Sequence, residues 1–206
     1  MKRSTIVTRP FYKRDTRLIV IACEGQSEES VYFGLFKSSR YKIVIADQDH
    51  GGKSAPQHVL DRLKKWKTEF YSPIKNSGDQ FWIVIDCDHN FEPGKKSGTT
   101  YDVINEARRA KINVAISNPC FGLWKLLHFQ ELPPRSLTNE NVHKALTVHG
   151  ASNKAKINPA HFTLETVNIA IERASTAPAA CLPAPGPVHV RDQSLQAGRP
   201  IRRNIA

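Results

Sequence analysis

Four short apolar runs, "RLIVIAC" (17–23), "YKIVIA" (41–46), "FWIVIDCD" (81–88) and "INVAIS" (112–117), recur along this chain with helix-patterned segments between them. Such runs, rich in Ile and Val over five to six consecutive positions, suit strands buried on both faces. Strands that alternate with helices build a parallel sheet, because parallel neighbours need a crossover between them. The expected fold is therefore α/β, with about four parallel strands flanked by helices. At 206 residues and 40% hydrophobic content, the chain suffices for one packed core and is short for two.

After the first run, Ser27 is expected to cap a helix, Glu28 and Glu29 suit its positive end, and Val31/Leu35 with Tyr32/Phe36 form an i,i+4 apolar stripe. Val59, Leu60, Leu63, Trp66 and Phe70 recur at helical spacing, with Pro56 near the helix start. A further helix is expected from about Thr100 to Lys111. In "SNPCFGLWKLLHF", Asn118 and Pro119 read as the cap and first residue of another. Two more are expected: Asn139 to Val148, ending at Gly150, and Pro159 to about Ala174, with Leu164, Val167, Ala170, Ile171 and Ala174 as its inner face. The organisation is thus a basic arm (1–16), a domain (17–174) and a Pro/Ala-rich tail (175–206) that reads as disordered.

Open parallel sheets bind ligands beyond the carboxyl ends of their strands. Glu24, Asp86 and Asp88 all fall there. Asp86 and Asp88, two apart on an extended backbone, share a face and suit one divalent ion. Carboxylate ligands with few His or Cys nearby favour Mg2+ or Mn2+ over zinc. The opposing reading of strand-end acids is that they cap helices or face water. Cys23, Cys87, Cys120 and Cys181 lack paired spacing, so reduced thiols are expected, with Cys23 and Cys87 as small buried residues rather than metal ligands.

Lys and Arg outnumber Asp and Glu by 30 to 19, a formal charge of +11, which favours a polyanionic partner such as nucleic acid. Lys53, Lys95, Lys96 and Lys156, in loops, are the candidate phosphate contacts. No run approaches the roughly 18 apolar residues of a membrane span, and "MKRSTIVTRPFYKR" lacks a signal-peptide core. A cytoplasmic protein without membrane contact is expected.

The blocks "CEGQSE" from Cys23, "DCDH" from Asp86 and "SNPCFGLWKLLHF" from Ser117, in this order and spacing, resemble the RloB family of bacterial proteins over about residues 15–174. The resemblance implies a Toprim domain, the metal-binding fold of topoisomerases, primases and overcoming-lysogenization-defect nucleases, and a role in phage defence. It implies that Glu24 is the Toprim glutamate, a general acid or base or a metal ligand, and that Asp86 and Asp88 are its metal-binding D-x-D. Glu28 matches a second acid of the nuclease-type proteins, which would complete a two-metal arrangement with the ions roughly 4 Å apart. Lys154 or Lys156 would steady the charge developing on phosphate. An ATPase of AAA or ABC type is the implied controlling partner.

One position departs from the pattern. The family block reads F-E-x-W, whereas this chain has Phe121, Gly122, Leu123 and Trp124. If the missing acid is a metal ligand, this chain binds its ion more weakly or is catalytically impaired; if that acid only orients the helix start or contacts a partner, activity survives. Two functional classes follow: a Mg2+- or Mn2+-dependent nuclease acting on DNA or RNA in an abortive-infection system, and a non-catalytic module that binds nucleic acid or the ATPase.

Other signals are discounted. "DHGGKS" lacks the first glycine of a phosphate-binding loop, since Asp47 stands there. His128, inside an apolar helix, is expected to be a hydrogen-bonded structural residue, and Trp66, Trp82 and Trp124 to be core residues rather than base-stacking platforms.

Overall fold

The computed structural model describes residues 16–25, 27–36, 38–46, 55–73, 78–87, 100–133, 137–152 and 157–177. The strands are β1 (Arg17–Cys23), β2 (Tyr41–Ile45), β3 (Gln80–Asp86) and β4 (Asn113–Ser117). The helices among these residues are α1 (Glu28–Gly34), α2 (Pro56–Phe70), α3 (Thr100–Arg109), α4 (Phe121–Leu127), α5 (Asn139–Val148) and α6 (Leu164–Ser175). The four strands form one all-parallel sheet in the order β2-β1-β3-β4. The α/β expectation therefore holds.

Side chains alternate across the sheet, and both faces are covered. Leu18, Val20 and Ala22 of β1 with Phe81, Ile83 and Ile85 of β3 pack against Val59, Leu60 and Leu63 of α2 and Val103, Ile104 and Ala107 of α3. On the other face, Ile21, Cys23 and Val84 meet Tyr32 of α1, Phe121 and Leu126 of α4, Val142 and Leu146 of α5, and Phe162. This double cover is why the strands read as continuous apolar runs. Each fully buried Leu, Ile or Val contributes about 1.5–3 kcal/mol from loss of water contact. Trp66, half-buried, packs on the first cluster, and Trp82 and Trp124 pack on the second.

The chain runs from β1 to β2 on one side, then crosses back through α2 to β3 on the other. Strand order therefore reverses between β1 and β3, and their carboxyl ends flank the switch point. The register pairs Asp86 with Ser117, so β3 and β4 end level, and Cys23 with Val84, so β1 ends two residues short of β3.

Several elements differ from expectation. Ser27 is the N-cap residue of α1 without a side-chain capping bond. Instead, the Glu29 carboxylate folds back and its Oε1 accepts the Gly25 N–H at 3.2 Å. Asn118 and Pro119, joined by a cis peptide, belong to the strand-to-helix turn, and α4 begins at Phe121 behind Cys120. The last expected helix divides into a short 3-10 turn (Pro159–His161) and α6, because Thr163 and Thr166 form a reciprocal capping box that starts a new helix. Its inner face is narrower than the apolar spacing suggests: Ala170 is fully buried, but Leu164 and Ile171 are 65% and 46% exposed. Phe70, at the end of α2, is likewise exposed. The basic arm and the tail beyond residue 177 lie outside the described residues.

Candidate active site

Glu24 follows the last residue of β1, and its backbone N–H extends the ladder to the Val84 carbonyl at 2.9 Å. Its side chain crosses the switch point, where Oε2 accepts the Asp86 backbone N–H at 2.9 Å. A carboxylate in this position ties the ends of the two central strands together, and a shorter Asp or an uncharged Ala would leave that donor to water. Gly25 has a separate reason to be glycine: a Cβ there would overlap the folded-back Glu29 carboxylate. The "EGQSEE" stretch is thus built so that one acid bridges strands and another, Glu29, buries itself beside them at 3% exposure.

Asp86 belongs to the face of β3 that meets α1, α4 and α5. A cleft of about 460 Å³ opens there, lined by Gly25, Glu28, Glu29, Asp86, Cys120 and Gly122, with Asn139, His143 and Ser152 further out. Glu28 and Asp86 therefore share one cavity, as the sequence reading requires. Glu28, however, is already engaged. Its Oε1 stands 2.6 Å from Nζ of Lys125, an ammonium group with no exposure that also donates to the Ala151 carbonyl at 2.8 Å.

Cys23 and Cys120 stand as neutral thiols. Burial pushes the Cys23 pKa far above the ordinary thiol range, and the Glu29 charge adds to it. Cys120 is pushed up to about 11 by burial and then by the Asp86 charge. Cys23 and Cys87 are buried, as expected of small core residues. Glu28, Glu29 and Asp86 line the cleft with carboxylate oxygens, donors that suit a hard cation such as Mg2+ or Mn2+. Among the described residues no group of three or more His, Cys, Asp or Glu side chains is arranged to hold a metal ion. Asp88, the expected partner of Asp86, lies outside them, as do Lys53, Lys95, Lys96, Lys154 and Lys156.

Gly122 sits in the first turn of α4 with α5 packed directly on it. A Cβ at this position would lie 3.0 Å from Val142 Cγ1, 3.3 Å from Leu146 Cδ1 and 3.4 Å from Cys120 Sγ. The two buried apolar side chains of α5, Val142 and Leu146, thus stand directly against Gly122.

His128 has the structural role expected of it. Trp124 Nε1–H donates to the Tyr32 hydroxyl at 2.8 Å, and that hydroxyl lies 3.0 Å from His128 Nε2. With the indole N–H donated to its oxygen, the Tyr32 hydroxyl can donate to Nε2, and in that tautomer His128 Nδ1–H donates to Thr166 Oγ1 at 3.1 Å. The chain of donors ties α1, α4 and α6 together and keeps the imidazole neutral: its pKa is held down to about 4 by burial, with the Arg173 charge adding.

A family model described as RloB-like protein matches residues 19–183. The chain belongs to the RloB-like family. Among the described residues the match takes in the strands, the helices and the cleft, save the first two residues of β1. No curated protein and no solved structure matches the chain. Among the described residues no helix is long and apolar enough to cross a membrane.

Sequence reasoning did not single out Lys125 or Cys120, and it gave Glu29 only a helix-end role. The available signal for Lys125 was its place inside "FGLWKLLHF", where a cation three residues after Gly122 interrupts an otherwise apolar helix. Nothing local indicated its partner, which lies 97 residues earlier.

Proposed function

We propose that this RloB-like chain is a metal-dependent nuclease of Toprim type that cleaves phosphodiester bonds in DNA or RNA. The observation that carries the reading is the meeting of Glu24 and Asp86 across the switch point, with Asp86 opening onto a carboxylate-lined cleft. Ligand sites of open parallel sheets lie at this place. Asp86 and Asp88 would hold the ion, and a bound Mg2+ or Mn2+ supplies Lewis-acid stabilisation of charge on phosphate. Glu24 braces the Asp86 backbone and so fixes the direction in which that carboxylate projects. Lys154 is assigned to the charge developing on phosphate, and Lys53, Lys95, Lys96 and Lys156 to the nucleic-acid backbone, in keeping with the formal charge of +11.

By family resemblance, the cellular setting is a bacterial anti-phage or abortive-infection system in the cytoplasm, with activity held in check by an ATPase of AAA or ABC type. A second reading has one specific observation in its favour: Gly122, where the resemblance calls for an acid, carries no side chain and has Val142 and Leu146 of α5 packed close to it. On that reading the chain is a non-catalytic module that binds nucleic acid or the ATPase.

The deciding experiment is incubation of the purified chain with plasmid DNA and with total tRNA in Mg2+ or Mn2+, beside an EDTA control and the Asp86→Ala/Asp88→Ala variant. Cleavage that needs metal and disappears in the folded double variant is the expected result, and it names the substrate class. Undiminished cleavage by the double variant would remove these residues from the site. Absence of cleavage by any form, with or without the ATPase, would favour the binding module.

A further inference from the structure

The buried pair between Glu28 and Lys125 bears on how many ions the cleft takes. A lysine with no exposure is costly to desolvate and persists in a core only with close partners. Lys125 has two, Glu28 Oε1 at 2.6 Å and the Ala151 carbonyl at 2.8 Å, and both come from outside its own helix. It therefore reaches the cleft wall from behind, anchored to the segment that follows α5, and delivers a fixed positive charge to a carboxylate that lines the cavity.

We infer that Lys125 is the resident cation for Glu28, so that the cleft takes a single divalent ion, at Asp86, instead of two. This rests on the nuclease reading above. A second ion at Glu28 would sit on a carboxylate whose charge Lys125 Nζ, 2.6 Å from Oε1, already offsets, bringing two cations onto one buried acid where little water screens them. Position 122 offers no substitute ligand, because Gly122 carries no side chain and its nearest neighbours from α5, Val142 and Leu146, are apolar. Two acids that a two-ion site would draw on are thus withdrawn, one by pairing and one by its absence from the sequence. Lys125 is a positioning residue here: it touches no substrate, and it fixes where Glu28 stands and what charge the cleft presents to metal.

The test uses the full chain and Mn2+ alone. The number of ions bound per chain is counted by electron paramagnetic resonance of free Mn2+, and the rise in melting temperature on adding Mn2+ is measured in parallel. The wild type should bind one ion, and Glu28→Gln should still bind one. Lys125→Met, which leaves the carboxylate without its cation, should show a larger Mn2+-induced rise than the wild type, and adding Glu28→Gln should return it to the wild-type size. Two ions in the wild type, falling to one in Glu28→Gln, would overturn the inference while leaving the nuclease reading intact. An equal rise in Lys125→Met and wild type would also overturn it. No Mn2+ bound by the folded wild type would overturn the metal reading itself, and this inference with it. Should Lys125→Met fail to fold, the counts for wild type and Glu28→Gln decide alone.

Discussion

Gly122 shows how one missing side chain can be read in two ways. From the sequence it is a lost acid; in the fold it is the place where α5 comes closest to α4. Helix interiors ordinarily prefer Ala to Gly by up to about 1 kcal/mol, but Val142 is β-branched and buried, and cannot move aside by rotating alone. Gly122→Ala should therefore destabilise the chain, by about 1–2 kcal/mol in urea denaturation. Trimming the neighbour with Val142→Ala should recover part of that cost in the double variant. A Gly122→Ala variant as stable as wild type would mean that α5 yields easily and that the close approach does not explain the glycine. At the residue scale, then, the strand-end acids Glu24 and Asp86 were legible, since their positions follow from where apolar runs stop. Lys125 was not, because a lone lysine in a helix more often extends its stem to water than buries its charge, and its partner is set by tertiary packing.

At the level of elements, the four strands were legible for one physical reason: both of their faces are covered, so neither needs polar positions. The C-terminal helices were less so. Leu164 and Ile171 repeat at the right spacing, yet they remain exposed, and what fastens α6 is polar: Thr166 to His128 and Arg173 Nη1–H to the Leu127 carbonyl at 2.7 Å. The Thr163–Thr166 capping box that divides the segment lacks the Glu or Gln by which such boxes are usually recognised. The hydrogen-bonded chain through His128 has a pH signature. Its folded pKa, about 4, lies below the ordinary histidine value near 6.5. Between those values the unfolded chain binds a proton that the folded chain refuses, so stability is intact above about pH 6.5 and falls as pH drops toward 4. The loss attributable to this residue is on the order of 3 kcal/mol. Urea midpoints measured across that window should decline more steeply for wild type than for His128→Gln. Parallel profiles would mean that the imidazole titrates freely in the fold.

Across the whole molecule, charge and topology divide the work. The chain is strongly basic, yet the cleft at the carboxyl edge gathers Glu28, Glu29 and Asp86. Exposed cations such as Lys65, Arg108, Arg109 and Lys111 lie on α2, on α3 and just past the end of α3. The proposed nuclease would use both: positive surface to attract a polyanion, and carboxylates to hold a cation against it. The strand order that makes this possible was not readable from the runs alone, since alternation of strands and helices fixes parallel pairing but not which strand crosses back. Glu24 and Asp86 flank the point where the strand order reverses. The most direct test is an anomalous difference map from a crystal of the full chain soaked in Mn2+. The account requires one peak beyond the end of β3, within bonding distance of the Asp86 carboxylate, with Glu28 still on Lys125. A map with no peak at Asp86, in a crystal where the cleft is open to solvent, would contradict it.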